Sequence, residues 1–135
     1  DAYIKRSPTD PWAHFHRAWA YRGKGDVDHA LLDFDRAVEL APTVAHHRAQ
    51  RALAHAAKKD WDLALADANE AIRLAPGNPY FLRDRAEVYA LKRDWKRAAA
   101  EYDHVIELGL KSAEVYRARA EARAALGDEA GASGH

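Results

Sequence analysis

The chain of 135 residues is long enough for one ordinary core, and its 21 Lys plus Arg against 21 Asp plus Glu leave no net charge to draw it towards nucleic acid or an anionic membrane. Cysteine is absent, which excludes disulfides, thiolate catalysis and cysteine-ligated metals. No apolar run approaches the ~18–20 residues that a membrane-spanning helix requires.

Taken in order, residues 1–6 (DAYIKR) and Ser7-Pro8 read as the last turn or two of a helix. With no Met in the chain and Asp1 at its start, the sequence reads as an excised piece or processed product. Missing targeting signals therefore carry no weight, and the compartment stays open with the cytoplasm slightly favoured. Asp10-Pro11 is a cap-then-proline helix start, and Gly23-Lys-Gly25 ends a first helix over about residues 11–23. Asp26 caps a second helix to Leu40, with Val27, Ala30, Leu31, Phe34, Ala37 and Val38 at helical spacing. Pro42 prevents its continuation. The same order recurs: helices near 44–58 and 61–74, a turn at Pro76-Gly77-Asn78-Pro79, then helices near 79–92 and 95–108. Gly109 ends the third pair. A seventh helix is expected over about 112–125, ended by Gly127, with EAGASGH too short and small for an eighth.

The recurrence has a period of 34 residues. Arg17, Arg51, Arg85 and Arg119 fall in one column, and Ala18, Ala52, Ala86 and Ala120 in the next. Asp26, Asp60, Asp94 and Asp128 form another, Ala30, Ala64 and Ala98 another, and Leu40, Leu74 and Leu108 close each block. Helices this short are marginal alone, so neighbours must hold them. The alanines are expected at helix crossings, where Ala64→Leu would overpack the seam by ~1–3 kcal/mol.

These columns resemble the tetratricopeptide repeat, a helix–turn–helix unit of this length. Ala18, Tyr21, Gly25, Ala30, Phe34, Ala37 and Pro42 match in the first block; Ala52, Ala64, Ala71 and Pro76 in the second; Ala86, Tyr89, Ala98 and Tyr102 in the third. His55, Ala68, Val105 and Leu110 depart from the pattern. The resemblance divides the single array into the end of a preceding repeat (1–8), three repeats (11–44, 45–78 and 79–112) and a partial repeat or capping helix with its tail (113–135). It implies an all-α, right-handed superhelical solenoid of antiparallel helix pairs, about seven helices plus an N-terminal remnant. It implies a non-catalytic interaction scaffold whose first helices line a concave groove.

At 100° per residue, Trp12, Phe15, Trp19 and Arg22 lie opposite Ala18 and Tyr21 on the first helix, the side the resemblance turns towards the groove. Later first helices bring His46, Ala49, Gln50, Leu53, Ala56 and Ala57, then Tyr80, Arg83, Asp84 and Glu87, then Glu114, Arg117 and Glu121. The groove should run from aromatic at its N-terminal end to mixed charge at the other. The aromatic wall fits a protein or peptide segment with bulky apolar side chains. The competing reading is that these rings pack on the neighbouring helix or on residues 1–6. One family subgroup grips a C-terminal carboxylate with Lys and Asn. The corresponding positions here look like Phe15, Trp19, Gln50, Tyr80 and Asp84, so that cationic grip is missing.

Three further constellations have structural readings. Arg17, Arg51 and Arg85 each precede an acid by sixteen residues (Asp33, Asp67 and Glu101), the spacing of an ion pair across a hairpin. Trp61 and Trp95, directly after their capping Asp residues, are expected in the core between repeats. Lys24, Lys58, Lys59, Lys92, Arg93, Lys96 and Arg97 form a basic edge that reads as a solubilising rim, with an anionic partner the alternative. The eight histidines show no ligand spacing: His14 and His16 face apart, as do His46 and His47. Ser7, Ser112, Ser133, Thr9 and Thr43 lie near helix ends or in the tail, so no nucleophile is set up. No enzyme, cofactor, metal, nucleic acid or membrane is expected, whereas self-association through open solenoid ends stays open as a homo-oligomeric alternative.

Overall fold

The structure, a computed structural model, describes residues 9–133, with side chains to residue 128. Among the described residues there are seven helices and no strand: α1 (Pro11–Gly23), α2 (Val27–Leu40), α3 (Ala45–Ala57), α4 (Trp61–Leu74), α5 (Pro79–Leu91), α6 (Trp95–Glu107) and α7 (Ala113–Ser133). The expected helix remnant at residues 1–8 lies outside the described residues, as does His135.

Short polar side chains start most of the helices. Asp10 accepts from Trp12 N–H, Asp26 from His29 N–H, Asn78 from Tyr80 N–H and Asp94 from Arg97 N–H. Inside each hairpin one residue turns left-handed: Gly25 (φ 82°), Lys59 (φ 64°) and Arg93 (φ 67°), which share a column. The N–H that follows then reaches back to the preceding helix, Asp26 to Tyr21 O at 2.9 Å, Asp60 to His55 O at 3.0 Å and Asp94 to Tyr89 O at 2.8 Å.

Gly127 occupies the same column without making the turn. The helix continues through it to Ser133, and Asp128 is no cap, which corrects the expected stop. A glycine costs a helix only ~1 kcal/mol, and no proline follows it to force a stop. At the other three positions a returning helix packs against the first and holds the break in place.

Paired helices α1/α2, α3/α4 and α5/α6 pack against each other. Successive pairs join through α2–α3, α4–α5 and α6–α7, and α3 also lies on α5. The result is an all-α helical-repeat solenoid. Its crossings fall where the small residues are: Ala18, Ala52, Ala86, Ala30, Ala64, Ala98, Ala37 and Ala71 are fully shielded, as is Val105 in the last pair. Ala120, the fourth member of its column, is exposed, because no second helix folds back over α7 among the described residues.

The arginine column is a ladder. Arg17 grips Asp33 with two bonds of 2.7 Å, Arg51 grips Asp67 at 2.7 and 2.8 Å, and Arg85 grips Glu101 with two of 2.7 Å. The second arm of the fork reaches back to the preceding pair: Arg51 to Asp35 at 3.1 Å, Arg85 to Asn69 at 2.9 Å and Arg119 to Asp103 at 3.3 Å. The forward pairs were legible from spacing, whereas the backward contacts appear only once the hairpins stack.

Candidate functional site

First-helix side chains meet in a groove of about 590 Å³. Trp19 and Arg22 come from α1, His46, Gln50 and Leu53 from α3, and Arg83, Asp84 and Glu87 from α5. Trp19 is 45 % exposed and forms an open wall, with Arg22 lying 5.5 Å from its ring centroid and donating to Gln50 Oε1 at 2.8 Å. With Glu114 and Glu121 of α7, ten of the seventeen expected residues share one cavity.

The other seven do not line it. Phe15 is 3 % exposed and sits in the seam formed with Ala18, Phe34 and Ala54, which corrects its assignment to an open wall. The angle on α1 does not decide this, since Arg22 is nearer to Ala18 (about 40°) than Phe15 is (about 60°). Phe15 is instead closed over by Phe34 of α2 at 5.8 Å and His47 of α3 at 5.0 Å. Ala49 is fully buried against Ala71 and Phe81. Trp12 remains 43 % exposed but packs outside the groove lining, its ring 4.5 Å from His47 and 5.4 Å from Phe15. Tyr80 is exposed beneath the Arg83 guanidinium at 5.2 Å, and Arg117 faces solvent. Among the smaller residues expected as floor, Ala56 is buried with Leu53, Ala64 and Val88, and Ala57 is exposed outside the groove lining.

Several lining residues escaped the sequence reading. Ala90 and Leu91 extend the Arg83–Glu87 stripe by one turn, and Val115 and Ala118 lie between Glu114 and Glu121 on α7, so helical spacing could have found all four. Trp95 and Tyr102 belong to α6, a second helix. Trp95 was expected in the core between repeats, and it does pack there, half-buried, while also facing the groove.

The electrostatics of the groove are uneven. Burial pushes the Asp84 carboxyl up to about 6, against the opposing pull of Arg83, whose Nη2 donates to Asp84 Oδ1 at 3.3 Å. Glu87 is also raised, first by desolvation and then by Glu114, with Arg22 and Arg83 pulling the other way. Tyr102 is 4 % exposed, and its phenol is pushed up to about 12, by burial first and by Glu87, Glu121 and Glu114 after it. Burial lowers His46.

At the N-terminal end, His47 is fully shielded and neither ring nitrogen has a hydrogen-bond partner. Burial, with the repulsion of His46 and His16, lowers it to about 4. Rings surround it: Trp12 at 4.5 Å and Phe15 at 5.0 Å.

The basic edge is mixed in charge. Lys58 pairs with Asp28, and Lys59 and Lys92 line a shallow depression with Asp60, Trp61, Asp62 and Leu63. Among the described residues no group of three or more His, Asp or Glu is placed to hold a metal ion, and no helix is long and apolar enough to cross a membrane. Ser112 Oγ accepts from Val115 N–H at the start of α7.

A tetratricopeptide repeat profile matches residues 11–44, and a second matches residues 49–109. The first TPR domain of the human RPAP3 protein superposes with a TM-score of 0.81 at 20 % identity, over 90 % of this chain and 96 % of that one. The first TPR of Spaghetti (RPAP3), solved with the HSP90 peptide SRMEEVD, gives a TM-score of 0.77 at 20 % identity, over 87 % and 95 %. A thermophilic TPR protein of Thermus thermophilus gives 0.78 at 25 % identity, over 90 % and 68 %. No curated protein sequence matches the chain.

Proposed function

The chain belongs to the tetratricopeptide repeat family, and from that premise we propose that it is a non-catalytic scaffold whose groove receives a segment of a protein partner. The observation that carries this reading is the open cavity of about 590 Å³, to which five helices contribute and at whose mouth Trp19 and Leu91 stay about half exposed. Large apolar side chains left bare beside a concavity are what a partner covers. A similar repeat domain holds an HSP90 peptide that carries two adjacent glutamates and ends in aspartate. In this chain the lining carries four carboxylates against two guanidinium groups, which disfavours an acidic tail as occupant.

The test is selection of a displayed random-peptide library on the immobilised protein, followed by titration of the enriched peptides. Trp19→Ala and Leu91→Asp should each weaken binding at least ~10-fold, the loss expected of an interface anchor. Leu32→Asp, at an exposed position outside the groove lining, should leave affinity unchanged. Equal affinity for all four proteins, each with an intact circular dichroism spectrum, would remove the groove as the binding surface.

A further inference from the structure

The identity of the lining narrows the chemistry of the partner, provided the groove is the docking surface at all. Asp84, Glu87, Glu114 and Glu121 reach it from α5 and α7, and only Arg22 and Arg83 oppose them. Both guanidinium groups are already engaged: Arg22 donates to Gln50 and lies over Trp19, and Arg83 donates to Asp84 and lies over Tyr80. Glu87, Glu114 and Glu121 make no ion pair among the described residues, and Asp84, only 3 % exposed, holds a single long bond of 3.3 Å. Three of these acids act together on the phenol of Tyr102, which shows that their fields overlap at one place. Carboxylates that outnumber the guanidinium groups beside them are relieved by an incoming cation. Trp19, Trp95 and Leu91 supply apolar surface around them, as the stem of a long cationic side chain needs.

We propose that the groove selects a partner segment by a Lys or Arg side chain, whose charged end sits among Asp84, Glu87, Glu114 and Glu121 while apolar neighbours of that residue cover Trp19 and Leu91. The recognition is opposite in sign to the capture of an acidic tail.

Short acetylated and amidated peptides of Leu, Trp and Gly, carrying one central Lys, Arg, norleucine or Glu, test this directly. Binding is read from the indole N–H resonances of Trp19 and Trp95. The Lys and Arg peptides should bind at least ~10-fold tighter than the norleucine peptide, the scale of one charge-assisted hydrogen bond. That margin should shrink at high salt and vanish in the Glu87→Gln/Glu114→Gln variant, which removes two crowded charges and should melt no lower than the parent. Equal binding of all four peptides overturns the charge preference and leaves the groove reading standing. Tighter binding of the Glu peptide overturns it in favour of an anionic partner. Concentration-dependent shifts of the same indoles without peptide, with a dimer in sedimentation, overturn it in favour of a second copy. No indole shift with any peptide overturns the groove reading and the cationic anchor together.

Discussion

The first helices α1 and α5 present the same positions two blocks apart, yet they do different things with them. Phe15 on α1 corresponds to Arg83 on α5, and Trp19 to Glu87. At Phe15 and Trp12 the face closes, with Phe15 buried and Trp12 leaning on His47, whereas Trp19 one turn further on stays open and lines the cavity. Where charged side chains stand, the face stays open, and the cavity forms there. A buried titratable group stands by each region, His47 of α3 against the rings of the first and Asp84 within the second. Burial shifts them in opposite directions, His47 down and Asp84 up. A repeat therefore fixes where a side chain starts, while its size and charge decide whether that place becomes core or site.

The largest effect expected is at Phe15. Phe15→Ala should cost ~3–5 kcal/mol in a chemical-denaturation experiment, as a fully packed aromatic does. Trp19→Ala, one turn along the same face, should cost under ~1 kcal/mol, in line with an exposed position. Similar losses at both would erase the distinction between closed and open ends.

His47 comes next. Its folded value is lowered to about 4, so the unfolded chain binds the proton first, and stability falls as pH drops from about 6.5 towards 4. The loss should reach ~3 kcal/mol. The residue one block later is Phe81, also buried, so His47→Phe installs what the array already uses there. That variant should lose less stability than the parent over this pH range. Parallel curves would show that His47 is not the group responsible.

Asp84 should behave in the opposite sense. Its raised value means that the folded state holds the proton longer, so stability declines as pH rises from about 4 to about 6 and stays lower above that. Asp84→Asn should be more stable than the parent by on the order of 2 kcal/mol at pH 8 and indistinguishable near pH 3. A destabilised Asn variant at pH 8 would mean that the single Arg83 contact outweighs burial.

The smallest effect separates the hairpins themselves. The first has Gly25 at the left-handed turn position, and the next two strain Lys59 and Arg93 there. Arg93→Gly should raise stability by about 0.5 kcal/mol, the relief of a left-handed side chain less the entropy of glycine. No gain in a thermal melt would show that the side chain compensates for its backbone.

The periodic part of this molecule was open to reading in advance. Ala18, Ala52 and Ala86 mark crossings because only a small residue fits there, and the sixteen-residue Arg–acid spacing implies a hairpin pair because both ends must lie at one height. Position along one helix could not resolve Phe15, which stands at the border between two faces and is decided by the third helix against it. Tyr102 and Trp95 belong to a second helix, and no periodicity on the first helices points to them. Gly127 looks like Gly25 in sequence and differs in having no helix folding back beyond it among the described residues.

The two arms of each arginine fork differ in what they would leave behind if cut. Forward of Arg51, Asp67 is sealed at 4 % exposure; behind it, the Asp35 side chain is half open to water. Severing a hairpin down its middle would strand a buried anion, whereas parting two hairpins would expose apolar contacts such as Ala49 on Phe81 but release only polar partners that water can accept. In their charges, the seams between modules are thus the tolerant ones. A unit of different charge can therefore follow in the row without stranding a buried ion in its neighbour.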